Sequence, residues 1–420
     1  MKQIPGGVTA PKGFTASGVH CGVKKGKGDG NQPPMSKMPE VLEGKKDLAL
    51  IVSEQPCVAA AVYTMNRVKA APLYVTMDHL ENGEAQAIVA NSGNANACAP
   101  NSHEHAEEMC QLAAQATGLK ASDFVVASTG VIGQELNIEA IAKGMPAAAA
   151  ALSKNGSDDA ANAIMTTDTV KKELSVTCSI GGKTVTIGAI AKGSGMIHPN
   201  MGTMLCFVTT DCAITHEMLT EALHEIVPRT FNRVTVDGDT STNDMCVVLA
   251  NAMAGNELIE WKDDNYTVFY KTLHYVFEQL ARNIAADGEG ASKLITCTVS
   301  DARSEESAER LAKAVVGSSL VKAAMFGADA NWGRVLCAMG YSKAPFRPEF
   351  VDVKFASAVG EILVCHQGAG VDFDEEAAKS ILSQDEVIIL VDLHEGEHLA
   401  TCWGCDLTYD YVKINGDYRT

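Results

Sequence analysis

The chain has 420 residues, with 52 acidic against 34 basic side chains and a formal charge of −18 at neutral pH. That balance argues against a nucleic-acid binder, which needs a basic footprint, and against an anionic membrane surface. A cationic or zwitterionic small substrate is compatible with such a field. Hydrophobic residues at 46% and charged residues at 20% are ordinary for a soluble globular chain, and the length suits two domains or one intertwined pair. The start, Met1 to Gly7, lacks the apolar core of a secretory signal, and no apolar run approaches membrane-spanning length. Thirteen cysteines are scattered in apolar runs such as Leu205-Cys206-Phe207. They read as reduced, buried thiols, and the expected location is the cytoplasm.

In chain order, residues 1–46 are rich in Gly, Pro and Lys and read as loop, with an exposed excursion from Lys24 to Lys46. Asp47 to Val52 and Ala87 to Ala90 read as buried strands. His103 to Thr117 reads as a helix closed by Gly118 at its C′ position. Phe124 to Ala127 is a strand running into Ser128-Thr129-Gly130. Glu173–Ile180 and Thr184–Ile190 form a hairpin about Gly181-Gly182, a pair suited to a primed turn. Met204 to Val208 is a further strand. Helices are predicted at 216–227, 265–284 and 304–325, and strands near 294–299, 350–355, 361–365 and 387–392. This mixture predicts a layered α/β architecture without deciding its topology.

The segment from Lys192 to Leu205, KGSGMIHPNMGTML, crowds three glycines, a proline and an asparagine ahead of a buried strand. Glycines admit positive-φ geometry and close approach of another group. A threonine at the strand's first position, preceded by Gly202, suits an N→O acyl shift that would free an α-amine on Thr203. An α-amine titrates near 7.7–8.0, so it can serve as a built-in general base beside its own hydroxyl. On these residues alone, a glycine-rich loop entering a strand with a threonine at its edge is the simpler explanation, because Gly-Thr pairs are common.

The same segment resembles the signature of the ornithine acetyltransferase family, the glutamate N-acetyltransferases of arginine biosynthesis. The likeness runs through Gly6–Phe14, Val68–Pro72, Ala90–Cys98, Thr129–Gly133, Ile164–Thr169, Thr235–Asp244, Asp287–Ala291, Gly327–Arg334 and Tyr411–Asn415. The resemblance implies a layered α/β sandwich of the self-cleaving N-terminal-nucleophile type with two interlocked domains. It implies cleavage between Gly202 and Thr203, giving fragments 1–202 and 203–420. Thr203 is then the nucleophile, Thr129 and Gly130 form the oxyanion hole, and Thr166, Lys192, Thr203, Glu289, Asn415 and Thr420 contact substrate. Lys192 is expected to hold a carboxylate and Glu289 an ammonium. Two departures stand out. Gly202 replaces the family's usual alanine and makes the scissile peptide more flexible, and the Gly28–Lys46 loop is longer than usual.

The implied reaction is ping-pong transfer of acetyl from N²-acetylornithine to glutamate, with acetyl-CoA as a further donor in a bifunctional enzyme, no bound cofactor and no metal. The implied assembly is a heterotetramer of two fragments of each kind, with no nucleic-acid or membrane partner. An N-terminal-nucleophile amidase or aminopeptidase would share the acyl-enzyme but pass it to water, and an uncleaved amino-acid-binding relative would form none. Cys402-Trp403-Gly404-Cys405 reads as two core thiols, since no second pair or histidine set accompanies it. His394 and His398 have zincin-like spacing, yet Gly396 breaks the helix that motif needs, so they read as surface loop residues. His103 and His105 carry no metal motif, and His198 reads as a structural contact. Gly26–Gly30 precedes no strand–helix unit and is no nucleotide fingerprint.

Overall fold

Side chains alternate between the two faces of a strand, so an unbroken apolar run needs cover on both sides. Leu48 and Leu50 pack with Ala87, Val89, Phe124 and Val126 in one buried cluster, while Ala49 and Ile51 pack with Ile88, Ala90, Val125 and Ala127 in another. In a computed structural model, residues 1–24, 44–198 and 204–417 are described. They divide into two compact units, Met1–Gly193, Asn200–Phe231 and Thr240–Leu280 in the first, and Ser194–Pro199, Asn232–Asp239 and Ala281–Thr420 in the second.

The strands in chain order are β1 (Lys2–Ile4), β2 (Phe14–Val19), β3 (Leu48–Tyr63), β4 (Glu84–Asn94), β5 (Phe124–Val131), β6 (Lys172–Ile180), β7 (Lys183–Lys192), β8 (Leu205–Thr210), β9 (Val234–Thr235), β10 (Met245–Ala250), β11 (Leu294–Ala302), β12 (Asp352–Ser357), β13 (Gly360–His366), β14 (Ala369–Gly370), β15 (Glu386–Asp392) and β16 (His398–Cys405). The first unit holds a nine-stranded sheet of order β1-β6-β7-β8-β10-β3-β4-β5, with β2 also paired to β3. Its helices include α1 (Ala71–His79), α2 (Ser102–Thr117), α3 (Ile138–Ala150), α4 (Ser157–Ile164) and α5 (His216–Arg229). Residues of α1, α2 and α3 cover one face in the Leu48–Leu50 cluster, and those of α4 cover the other. A long helix, α6 (Asp264–Ala286), runs from the residues of the first unit into those of the second.

The second unit carries a seven-stranded sheet of order β14-β13-β12-β15-β11-β16-β9. Its helices are α7 (Glu305–Gly317), α8 (Ser319–Phe326), α9 (Trp332–Gly340), α10 (Glu375–Leu382) and α11 (Tyr409–Gly416). The layered α/β arrangement expected from the sequence is present. The compact units do not coincide with a division at 202/203, because segments of each unit alternate along the chain.

Several boundaries moved. Phe14–Val19, inside the region read as loop, is a strand paired with Leu48–Ser53. The helix expected over 304–325 is two helices, because Ser318 is extended and its hydroxyl accepts from the Val321 N–H at 3.4 Å, starting α8 afresh. The strand expected from 350 begins at Asp352, after a 3-10 turn at Pro348–Phe350. His398 opens β16 rather than lying in a loop, and Cys402 and Cys405 are buried free thiols on that strand. Gly181 and Gly182 form the two-residue turn at φ +56° and +76°, values a side chain disfavours at both positions. Among the described residues, no helix is long and apolar enough to cross a membrane.

Gly118 ends α2 at φ +80°, its N–H reaching the Ala114 carbonyl at 2.8 Å, with open space where a Cβ would point. Gly118→Ala therefore tests backbone strain without a clash. Urea unfolding is expected to show a loss of about 1–2 kcal/mol; an unchanged midpoint would contradict the left-handed cap.

Candidate active site

In the first unit, β4 and β5 run parallel and in register as far as Gly93–Gly130, where the pairing slips at Asn94. Gly130 has φ +133°, and a Cβ there would fall 2.3 Å from the Gly93 carbonyl carbon. Both the dihedral and the close approach demand glycine. Polar side chains fix the strand ends. Asn91 donates to the Asn94 carbonyl at 2.9 Å and accepts from the Ser128 hydroxyl at 2.6 Å. Asn243 donates to the carbonyls of Ala95 at 2.6 Å and Ser128 at 2.8 Å. Buried amides so satisfied rigidify the backbone that carries Thr129 and Gly130.

Lys192 closes β7 and is buried. It lies in the field of Asp168, which local sequence pattern does not single out. One Asp168 oxygen accepts from the Gly193 N–H and the Lys172 ammonium, each at 2.8 Å, and the other from the Thr166 N–H at 3.0 Å. Burial acts to raise the Asp168 pKa, but the charges of Lys192 and Lys172, with the hydrogen bonds from Lys172 and Gly193, outweigh it and hold the group at about 2. One carboxylate thus bonds the backbone of Thr166 and of Gly193, the residue after Lys192.

In the second unit, Glu289 follows α6 in a buried turn. Its N–H donates to the Ser194 carbonyl at 3.1 Å, and its carboxylate accepts from the Asn415 amide at 2.7 Å. A side chain at Gly195 would collide with this carboxylate, at 2.2 Å from its carbon. Two expected contacts, Glu289 and Asn415, are therefore bonded to each other. Asp237 accepts from the N–H groups of Met196 at 2.7 Å and Ile197 at 2.9 Å, holding Met196 at φ +54°. His198 meets the Thr235 hydroxyl at 3.0 Å, the structural contact expected of it. Burial, then the charge of Lys313, lowers its pKa to about 4, so the imidazole is neutral at pH 7.

Gly202, Thr203 and Thr420 lie outside the described residues. The strand that follows Thr203 is placed: β8 pairs with β7 on one side and β10 on the other, and the Met245 N–H donates to the Met204 carbonyl at 2.9 Å. Among the described residues, one group has metal-ligand spacing: Asp301, Asp392 and His394. His394 there lies 3.0 Å from Asp352 and 3.4 Å from Asp392.

Comparison with known proteins places the chain in a class, the acetyltransferase enzymes of arginine biosynthesis. A model of the ArgJ family matches residues 36–420. Relatives named arginine biosynthesis bifunctional protein ArgJ match end to end, one from Symbiobacterium thermophilum at 54% identity over 421 residues and one from Caldanaerobacter subterraneus at 49%, each covering 100% of both chains. A solved chain of that name from Bacillus halodurans is 48% identical, with TM-score 0.48, covering 50% of this chain and 97% of its own. The chain belongs to the ArgJ family.

Lys172 and Asp168 are almost fully buried, at 1% and 0% side-chain exposure. Asp168→Asn should cost about 3–5 kcal/mol in chemical denaturation, the range for breaking a buried pair. Because the folded-state pKa lies below the ordinary 3.8, this contribution is full above about pH 4 and is lost as pH falls through 2. A variant as stable as the parent at pH 7 would contradict the assignment.

Proposed function

We propose that this enzyme cleaves its own Gly202–Thr203 bond and then transfers acetyl from N²-acetylornithine to glutamate through an acetyl-Thr203 intermediate. The observation that carries this reading is the end of β5, where Thr129 and a Gly130 that tolerates no side chain are locked by Asn91, Ser128 and Asn243, in a chain of the ArgJ family.

In the first stage the Thr203 hydroxyl attacks the Gly202 carbonyl and the Thr203 nitrogen leaves, giving an ester. Water then cleaves the ester, leaving the Gly202 carboxylate, a free hydroxyl and a free α-amine. In the second stage that amine takes the hydroxyl proton as the oxygen attacks the acetyl carbonyl. The Thr129 hydroxyl and the Gly130 N–H stabilise the oxyanion; one such donor is worth about 2.7–4 kcal/mol of barrier. Collapse expels the α-amine of ornithine, which recovers the proton. The α-amine of glutamate then attacks the acetyl ester, releasing N-acetylglutamate and free Thr203.

Lys192 receives the carboxylate together with Thr166, whose N–H shares Asp168 with that of Gly193, and Glu289, held by Asn415, receives the ornithine ammonium. Thr420 completes the contacts. Acetyl-CoA serves as a second donor, in keeping with the bifunctional naming of the relatives. The fragments stay together as a heterotetramer in the cytoplasm. Supporting the retention of both fragments, β8 and β10 lie between β7 and β3, so the later part of the chain is woven into a sheet made largely by the earlier part.

The test is ornithine release from N²-acetylornithine with and without glutamate. Sustained release that requires glutamate, with stoichiometric N-acetylglutamate, is expected; equal release in its absence would make the enzyme a hydrolase. Glu289→Ala should raise the KM for N²-acetylornithine roughly tenfold or more, from loss of one charge-assisted contact, while self-cleavage continues. Equal loss of both would refute the role given to Glu289.

A further inference from the structure

A buried carboxylate places one more cation beside β4. Asp47, which has no exposed surface, accepts from the N–H groups of Cys21 at 2.6 Å, Gly22 at 3.1 Å and Lys24 at 2.9 Å. Its own N–H donates to the Val19 carbonyl, and its carbonyl accepts from the Ser92 N–H, each at 2.9 Å. Asp47 therefore folds Cys21–Lys24 down onto the end of β4. The contact is direct. Gly93, at φ +100°, would bring a Cβ to 2.8 Å from Lys24 Cγ and 3.2 Å from its Cα. Gly93 is the register partner of Gly130, so Lys24 packs on the residue paired with the expected oxyanion donor.

The Lys24 ammonium donates to the Lys46 carbonyl at 2.7 Å, and among the described residues no carboxylate forms an ion pair with it. Burial lowers its pKa to about 8; the charges of Asp47 and Asp168 act to raise it, and those of Lys45 and Lys192 to lower it further. Lys24 thus lies in the field of Lys192 and of Asp168, the carboxylate that accepts from the Thr166 N–H. A half-buried and a buried cation within each other's field repel, and a substrate anion shared between them relieves that cost.

We propose that Lys24 is a substrate-binding residue that shares with Lys192 the α-carboxylate common to the acyl donor and the acceptor. This rests on the acetyl-transfer reading. The α-carboxylate is one bond from the carbon that bears the reacting nitrogen, so its cations belong beside the oxyanion donors, where Asp47 holds Lys24. A lysine suits the task as a point charge on a flexible stem that can leave the Lys46 carbonyl for a better acceptor.

The test is steady-state kinetics of Lys24→Met and Lys24→Arg with N²-acetylornithine, glutamate, and the α-carboxamide of N²-acetylornithine. Lys24→Met should raise the KM of both natural substrates roughly tenfold or more with a much smaller change in kcat, and Lys24→Arg should recover most of it. The carboxamide donor should be poor for the parent and no worse for Lys24→Met. If Lys24→Met does not fold, Lys24→Gln gives the same comparison. Unchanged KM values, a fall in kcat alone, or an equal penalty on the carboxamide would overturn the assignment. A parent enzyme that releases ornithine without acetylating glutamate would instead sink the acetyl-transfer reading.

Discussion

The hydrogen bonding of β8 on both sides is the constraint on which the rest of the site depends. Lys192, the last residue of β7, is the register partner of Leu205, the first of β8, while Leu205 also pairs with Met245 of β10. The chain leaving β7 at Lys192 is therefore back beside it at Leu205. The early part of the intervening segment is tied down in the second unit: the Asp237 carboxylate accepts from the Met196 and Ile197 N–H groups, the Asp287 carbonyl accepts from the Ser194 hydroxyl, and the Val236 N–H donates to the Ile197 carbonyl. Because the sheet is held by β8 and β10 lying between β7 and β3, a break between residues 202 and 203 leaves its ladder intact. After such a break, burial and strand pairing would keep the later part of the chain in place.

Around that strand the chemistry is set by buried polar groups that are satisfied. Asn91, Ser128 and Asn243 close one network under Thr129 and Gly130, and Asp168 closes another between Thr166, Lys172 and Gly193. Each fixes backbone rather than merely neutralising charge. That is the form of preorganisation an oxyanion site requires, since donors already in position need no reorganisation when charge develops. Glycine plays the complementary part at Gly93, Gly130 and Gly195, where backbone or side chain of a neighbour occupies the space of a Cβ.

The sequence carried the buried strands well, because a strand covered on both faces is apolar throughout; Leu48–Ile51 and Ile88–Ala90 were legible for this reason. The Gly181-Gly182 hairpin and the Gly118 cap were legible because each needs positive φ. The alanine-rich helices α3 and α4 were not singled out, since alanine weakens the apolar period that marks a helix face. Phe14–Val19 was hidden in a glycine- and lysine-rich region, its partner lying on β3. At the site, Thr129, Gly130, Thr166, Lys192, Glu289 and Asn415 came from family resemblance. Asp168 and Asn243 stood in matched segments, yet their roles depend on partners such as Gly193 and Ala95, far away in sequence. Local pattern does not encode such contacts.

Self-cleavage is the claim that most sharply separates this account from a binding protein or an ordinary acyltransferase. Intact-mass spectrometry of the purified protein tests it directly. Two fragments are predicted, one ending at Gly202 and the other beginning at Thr203, and Thr203→Ala is predicted to leave one uncut chain. A parent protein that remains a single chain of 420 residues while transferring acetyl at full rate would contradict the account.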